Sequence, residues 1–344
     1  MSRIRKLYFF DKNNTKEMIS FLNNKGDDVY TNNYMFNPFL IFHHLIPLKF
    51  KFLPESYVMK DKDGIKGLIT VEPTRNPLKQ MEIQKLLFEE NAFLDAEELI
   101  QYAVSRYKAM GTASFVVRVD DNLPELLKLF VTKCGFSQIS YEKLWKINSV
   151  TDKLSNILKF RDFRNSDSAV TASIFNESLL PHIRPLLNAD TKEFKENFFK
   201  GLSYYTEYKY VVEDKKTSNI LAVISIQTVD NKNYILEVIN SSWTEIDIDS
   251  ILSFVNSKIK KRNKNFALYI KTKKYTHSGE QYEKEFMERK YECVQNQVVL
   301  TNSSAKIIRE AERSGKFTVL NKLYSAQGVN IGGVSSKQEL ANKL

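Results

Sequence analysis

Residues 82–119, EIQKLLFEENAFLDAEELIQYAVSRYKAMGTASFVVRV, decide the fold because they predict a strand, a helix and a second strand in direct succession. The predicted helix has apolar residues at steps of three and four, namely Ala96, Leu99, Ile100, Ala103, Tyr107 and Met110. Gly111 is placed to end this helix in a left-handed conformation. The apolar run 115–119 is typical of a strand that is buried on both faces beside a parallel neighbour. We therefore predict a βαβ unit with a right-handed crossover.

The same pattern returns at residues 234–272, YILEVINSSWTEIDIDSILSFVNSKIKKRNKNFALYIKT. Its helix carries an equivalent apolar row of Ile248, Ile251, Leu252, Val255 and Ile259. Equivalent positions in the two halves of the chain lie about 155 residues apart. A period of that length indicates duplicated domains rather than a solenoid.

The bulk composition fits a soluble protein of two domains, since 344 residues exceed the size of one compact core. No apolar run approaches the roughly 20 residues needed to span a bilayer, so we predict a cytoplasmic protein with no membrane partner. The net charge of +10 has one concentration at residues 258–264, in the last turn of a helix, where the helix dipole favours cations. We interpret it as a solvated helix end and do not expect a nucleic-acid partner. The four histidines show no metal-ligand spacing, so we expect no metal.

The predicted order of elements in each half is β-α-α-β-β-β-α-β-α-β, an α/β fold of the α+β type with a mixed sheet. In the first half the two early helices are predicted near residues 14–22 and 38–48, and in the second half at 168–180 and 191–202. The predicted domains are residues 1–150 and 151–304, followed by a helix and flexible tail at 305–344. Each half is expected to form its own, largely antiparallel sheet with one parallel step.

Residues 123–147, LPELLKLFVTKCGFSQISYEKLWKI, predict a helix that ends in Lys-x-Gly-Phe before a strand. Together with the preceding βαβ unit, this motif resembles the GNAT superfamily of acyl-CoA N-acyltransferases. The likeness covers residues 3–147 and again 158–301, so the chain is similar to a tandem GNAT protein. The resemblance implies transfer of an acyl group from acetyl-CoA to an amine of a small molecule or peptide.

In that family, a glycine-containing loop at a helix N-terminus holds the CoA pyrophosphate, as the helix dipole favours. Neither loop here contains glycine. The first, 89–98, carries five carboxylates that would repel a pyrophosphate. The second, 241–250, has fewer acids and offers hydroxyl groups, so we predict CoA binding in the second half. The predicted cofactor-binding residues are Ser241, Ser242, Thr244, Ser250, Lys273 and Lys274.

Many GNAT enzymes use a tyrosine on the helix before Gly-Phe as a general acid and a strand glutamate as a general base. The resemblance implies these roles for Tyr282, which lies one turn before the matching position, and for Glu237. We expect apolar surroundings to raise the pKa of Glu237 towards that of a useful base. The alternative for Glu237 is a solvated or paired strand residue. The glycine-free loops also favour a second hypothesis, a non-catalytic tandem GNAT fold that serves as a binding or scaffold protein.

Overall fold

The computed structural model describes residues 3–8, 11, 19–20, 53–62, 64–74, 79–89, 92–150, 157–195, 205–241 and 246–303. Its strands are β1 Arg3–Lys6, β2 Ile19–Ser20, β3 Glu55–Lys60, β4 Ile65–Pro73, β5 Gln80–Phe88, β6 Ser114–Asp120, β7 Ser137–Lys146, β8 Leu158–Asp162, β9 Thr206–Asp214, β10 Ile220–Thr228, β11 Asn233–Asn240, β12 Ala267–Lys273 and β13 Glu292–Ser303. Its α-helices are α1 Phe93–Ala109, α2 Pro124–Lys128, α3 Ser168–Ser178, α4 Arg184–Leu187, α5 Thr191–Phe194, α6 Ile248–Lys260 and α7 His277–Glu288.

The first βαβ unit is confirmed as β5, α1 and β6, with β5 and β6 parallel. Gly111 has φ +96°, as a left-handed helix end requires. Met110 does not belong to the buried row, because it lies at the C-cap and is 51% exposed; Val104 is buried instead. The second unit is also confirmed, and all five apolar residues predicted for its helix are buried.

Two predicted helices differ in the structure. The helix before Gly135 is α2 followed by a π-helical turn at Leu129–Lys133. The prediction of a helix at 14–22 is wrong at its end, because Ile19–Ser20 form a strand that pairs with the end of β5. Strand β6 diverges from β5 after Glu82, so it does not pair with Leu87 and Phe88 of β5. Strand β2 provides hydrogen-bond partners for the backbone groups there instead. The predicted helix 38–48, the remainder of 191–202 and the tail 305–344 lie outside the described residues.

The expectation of two separate sheets is wrong. The described strands form one sheet in the order β1-β3-β4-β5-β6-β13-β7-β12-β11-β10-β9-β8, with β2 beside β5. The closing strands of the halves are exchanged, because β13 lies between β6 and β7 while β7 lies between β13 and β12. Each half keeps one parallel step, β5 with β6 and β11 with β12. The proposed division at residues 150 and 304 stays a prediction.

Helices cover the two faces of this sheet over three apolar clusters. Helices α1 and α2 bury one cluster against the first half, and α6 and α7 bury a second against the second half. The opposite face carries a third cluster under α3 and α4, which includes Phe175, Leu179 and Ile183 from the helical side. Val116 and Val299 contribute to it from the sheet. Helices α3 and α4 of the second half therefore pack on β6 and β13, the strands at the junction of the two halves. Among the described residues, no helix is long and apolar enough to span a membrane.

We predict that a fragment of residues 1–150 does not fold cooperatively. In the fragment, β7 loses both of its neighbours, β12 and β13, and β6 loses β13. Unpaired buried backbone groups are costly, so the remaining strands should not hold the sheet together. Thermal unfolding followed by circular dichroism measures this, with the full chain as the control. A cooperative transition in the fragment would contradict the exchanged topology.

Candidate active site

Both halves contain a point at which the two parallel strands stop pairing. Strands β5 and β6 are paired only from Gln80 opposite Ser114 to Glu82 opposite Val116. Strands β11 and β12 are paired up to Leu236 opposite Ile270. Beyond these pairs the strands diverge and leave a gap, which is the natural place for a ligand between parallel strands.

The gap in the first half is partly filled by the chain itself. Strand β2 pairs with Leu87 and Phe88 on the side of β5 that faces β6. Arg118 on β6 binds Glu82 on β5 with a distance of 2.6 Å from Nη1 to Oε1. Helix α1 starts at this end without a side-chain cap, and Asp95 lies in its first turn. An extended ligand therefore has no free edge on β5 at residues 87–88.

The gap in the second half leads into a small cavity, which we call the second-half cleft. Its lining includes Glu237, Asn240, Lys273, Thr276 and Tyr282. Among the described residues, β11 has no strand partner on this side beyond Leu236, so the backbone of residues 237–239 presents an open strand edge.

The helix that borders the second-half cleft is fixed closely to β12. Gly279 in the first turn of α7 lies so near the strand that a Cβ atom there would be 2.0 Å from the carbonyl oxygen of Lys273. Leu179, at the end of α3, forms an isolated bridge with Thr276 just before α7. These contacts hold the side chains of α7 against the gap between β11 and β12.

Glu237 lies on β11 at the start of this gap and forms an ion pair with Lys273 of β12. Burial alone would raise the pKa of Glu237, but the positive charges of Lys273 and Lys271 lower it below its ordinary value. The expectation of a raised pKa in apolar surroundings is therefore wrong. Its side chain is partly exposed and ionised at neutral pH, beside two lysines.

Tyr282 lies on α7, is buried, and directs its hydroxyl group towards the second-half cleft. The hydroxyl lies 3.4 Å from Oδ1 of Asn240 on β11, which is a long hydrogen bond. Burial raises the pKa of Tyr282 well above its ordinary value, and Glu285 adds to this effect. The phenol therefore keeps its proton at neutral pH. The structure brings Tyr282 and Glu237 to the same cavity, although Asn240 was not singled out from the sequence.

The four predicted cofactor-binding residues that the structure describes already have contacts within the protein. The Ser250 hydroxyl is buried and donates to Asp247 Oδ2 at 2.9 Å. The Ser241 hydroxyl donates to Glu177 Oε2 at 3.3 Å. Lys273 is paired with Glu237, whereas Lys274 is exposed and its Nζ lies 6.0 Å from the centre of the Tyr141 ring. Ser242 and Thr244 lie outside the described residues.

The N-terminus of α6 carries a carboxylate from the chain itself. Asp247 is the N-cap and accepts a hydrogen bond from the backbone N–H of Asp249 at 3.1 Å. Asp249 in turn forms an ion pair with Arg289 at the end of α7. An anion that bound at this helix end would compete with Asp247 for the N–H group of Asp249 and would be repelled by the carboxylates of both residues.

A buried carboxylate at the junction of the halves was missed in the sequence. Glu142 on β7 is 1% exposed and accepts hydrogen bonds from Arg118 Nε at 2.9 Å and from the Tyr275 hydroxyl at 2.6 Å. Lys271 Nζ lies 3.6 Å from the same carboxylate. These cations outweigh burial and hold the pKa of Glu142 well below its ordinary value.

The sequence did contain one signal for this network. The Glu237–Lys273 pair repeats the Glu82–Arg118 pair of the first half, with each member 155 positions later in the chain. In both halves a carboxylate on one diverging strand thus binds a cation on the other. No spacing in the sequence indicates Glu142, because its partners depend on the exchange of β7.

Solved structures share this arrangement of strands and helices. A tandem GNAT protein from the clavulanic acid biosynthesis pathway, solved without AcCoA, matches with a TM-score of 0.55 and 9% identity, over 89% of this chain and 99% of that chain. A GCN5-related N-acetyltransferase from Sphaerobacter thermophilus matches with a TM-score of 0.59 and 11% identity, over 89% and 97% of the two chains. The chain has the tandem GNAT fold. No protein-family model and no curated protein matches its sequence.

Within the tandem GNAT fold, the second-half cleft is the stronger candidate for an active site. It combines an open edge of β11, an ionised carboxylate from Glu237 and a protonated phenol from Tyr282. The first half has β2 along its strand edge and, on the helix before Gly135, Val131 in place of a tyrosine. Among the described residues, no group of three or more histidine, cysteine, aspartate or glutamate side chains could hold a metal ion.

We predict that Glu142→Gln lowers the free energy of unfolding by about 1–3 kcal/mol at neutral pH, because Lys271 loses its ion pair with Glu142 while Arg118 keeps only its ion pair with Glu82. The pKa of Glu142 is lower in the folded than in the unfolded chain, so its contribution is complete above the unfolded pKa and is lost as pH falls through the folded pKa. The difference between parent and variant should therefore shrink below about pH 4. Urea unfolding at several pH values measures it.

The matched control for this experiment is Glu292→Gln, which changes an exposed glutamate on β13. It should alter the free energy of unfolding by less than about 0.5 kcal/mol. A constant difference between parent and Glu142→Gln down to the lowest pH would show that the Glu142 charge does not stabilise the junction.

Proposed function

We propose that this protein is an N-acyltransferase that moves an acyl group, with acetyl as the expected one, from acyl-CoA to an amine of a small molecule or peptide. The observation that carries the proposal is the placement of Tyr282 and Glu237 around one cavity, where β11 and β12 diverge. The likeness to a protein named as an N-acetyltransferase supports this assignment.

The open edge of β11 supports the second half as the place where acyl-CoA binds. On the edge away from β10, the backbone of residues 237–239 has no strand partner among the described residues and can pair with the amide groups of an extended ligand, as an added strand would. Lys274 is exposed near the outer end of this gap and suits a phosphate group. Bound acyl-CoA would supply the activated thioester. The Asp247 carboxylate would repel a pyrophosphate at the N-terminus of α6. Lys274 is therefore the better binding partner for the phosphate groups of CoA.

In the proposed reaction the amine nitrogen forms a bond to the acyl carbon, and the bond from that carbon to sulfur breaks. Tyr282 is the general acid, because its phenol is protonated and can give its proton to the leaving sulfur. Glu237 receives the proton that the amine loses, directly or through water. The ion pair with Lys273 makes Glu237 a weak base. We therefore expect acyl transfer to be faster when Glu237 separates from Lys273.

We predict that Tyr282→Phe lowers kcat by about 100-fold or more and leaves KM for acetyl-CoA nearly unchanged, because it removes a proton donor and little else. Glu237→Gln should also lower kcat. Thiol release from acetyl-CoA, measured over a panel of amines, reports both rates. Thermal unfolding of each variant controls for loss of folding. Parent-like rates in both variants would remove this pair from the mechanism.

The second candidate function is non-catalytic ligand binding or scaffolding, and Asp247 is the observation that favours it. Its carboxylate occupies the helix end at which an anion would otherwise bind. A protein that kept the fold without binding CoA would tolerate such a cap, which stabilises α6.

Acetyl-CoA binding separates the two candidates. If the transferase proposal holds, acetyl-CoA raises the melting temperature of the full chain as its concentration exceeds the dissociation constant. Lys274→Glu should reduce the shift strongly, whereas Lys264→Glu, at an exposed position beyond α6, should not. No shift in the parent at millimolar acetyl-CoA would favour the non-catalytic function. A shift that persists in Lys274→Glu would place the phosphates elsewhere.

A further inference from the structure

A larger cavity lies at the junction of the two halves, on the sheet face that carries Glu237 but nearer the starts of β11 and β12. We call it the junction cavity; its volume is about 410 Å³, within the usual range for small-molecule sites. Its lining includes Glu142, Gln227, Asp230, Tyr269, Lys271 and Gln297. Strand β7 comes from the first half and the other strands from the second, so one half alone could not build it.

A lysine and an aspartate line this cavity at two different places. Lys271 on β12 is partly exposed, and its only ion-pair partner among the described residues is Glu142, at 3.6 Å. Asp230 lies at the other side, exposed in the turn between β10 and β11, where its carboxylate accepts hydrogen bonds from the backbone N–H groups of Lys232 and Asn233 at 2.8 Å and from Nδ2 of Asn233 at 2.7 Å. A molecule in the cavity therefore meets the Lys271 ammonium group, beside the Glu142 carboxylate, on one side and the Asp230 carboxylate on the other.

The amide side chains add hydrogen-bonding groups between these ends. Gln297 on β13 is partly buried, and no side-chain hydrogen bond to another described residue engages its amide. Gln227 on β10 donates from its Nε2 to Glu207 Oε1 at 3.5 Å, and its carbonyl oxygen can accept from another donor. Both amides can therefore exchange hydrogen bonds with a ligand that enters the cavity.

We propose that the junction cavity binds a small zwitterion of the amino-acid type, with its carboxylate at Lys271 and its ammonium group towards Asp230 and the carbonyl oxygen of Gln227. Gln297 contributes both a donor and an acceptor to the part between the charges. An anion without an amine would lose the contact at Asp230, and an amine without a carboxylate would lose the contact at Lys271. The site stands on the cavity and its charges and does not depend on acyl transfer.

The test is isothermal calorimetry on the full-length protein with glycine, 4-aminobutyrate, L-lysine, L-glutamate and L-glutamine. Butyrate and butylamine serve as probes that carry one charge each. We expect at least one zwitterion to bind in the micromolar to millimolar range and both single-charge probes to bind about tenfold more weakly. Heat from none of the zwitterions at millimolar concentration, or equal binding of butyrate, would overturn the proposal.

Two variants locate the binding. Gln297→Leu should weaken the zwitterion by about tenfold, since it removes hydrogen bonds without changing a charge. Gln138→Leu changes an exposed glutamine near the other end of β7 and should leave the affinity unchanged. Unchanged affinity in Gln297→Leu, in a variant that melts like the parent, would place the ligand outside this cavity and overturn the assignment. Acyl transfer that fails while zwitterion binding persists would overturn only the proposed function.

Discussion

The structure depends on the reciprocal pairing of β7 and β13. These two strands are antiparallel neighbours from Glu292 opposite Lys146 to Thr301 opposite Ser137, and each also pairs with a strand of the other half. A sheet strand is stable when both of its edges are satisfied. The closing strand of each half obtains this only from the other half, so the sheet forms as one unit.

The same exchange determines where charges are buried. It places Glu142 of β7 between Arg118 of the first half and Lys271 of the second. Glu82 and Arg118, with Glu142 and Lys271, form a group of balanced charge across the junction. Balanced and hydrogen-bonded charges are tolerated at such burial, whereas removal of one member leaves an unpaired charge. The group also forms part of the wall of the junction cavity.

Local patterns in the sequence were sufficient to predict both βαβ units. The apolar rows of α1 and α6 follow helical spacing, and Gly111 has the backbone conformation that ends a helix. The exchange could not be predicted in this way, because β13 has the same alternation of residues whichever strands lie beside it. Its neighbours are chosen by contacts between residues that lie 146 to 189 positions apart.

For the candidate site, too, the sequence predicted which elements carry the residues but not the contacts between them. The sequence placed Tyr282 and Glu237 on the elements that meet at the second-half cleft, because their positions follow from the order of helices and strands. It gave the wrong direction for the pKa of Glu237, because the deciding charge belongs to Lys273 on the next strand. It did not identify Asp247 in the loop 241–250 as a helix cap, which the structure shows it to be.

The central claim, that the exchanged strands join the two halves into one folding unit, is tested most directly by native-state hydrogen exchange. Backbone amides of Trp145 on β7 and Leu300 on β13, and those of Val117 and Ile270 on their outer neighbours, should exchange only through global unfolding. All four should then report the same free energy of opening, equal to the free energy of unfolding from urea titration. A lower free energy at Ile270 than at Val117, with the first half still protected, would contradict the account.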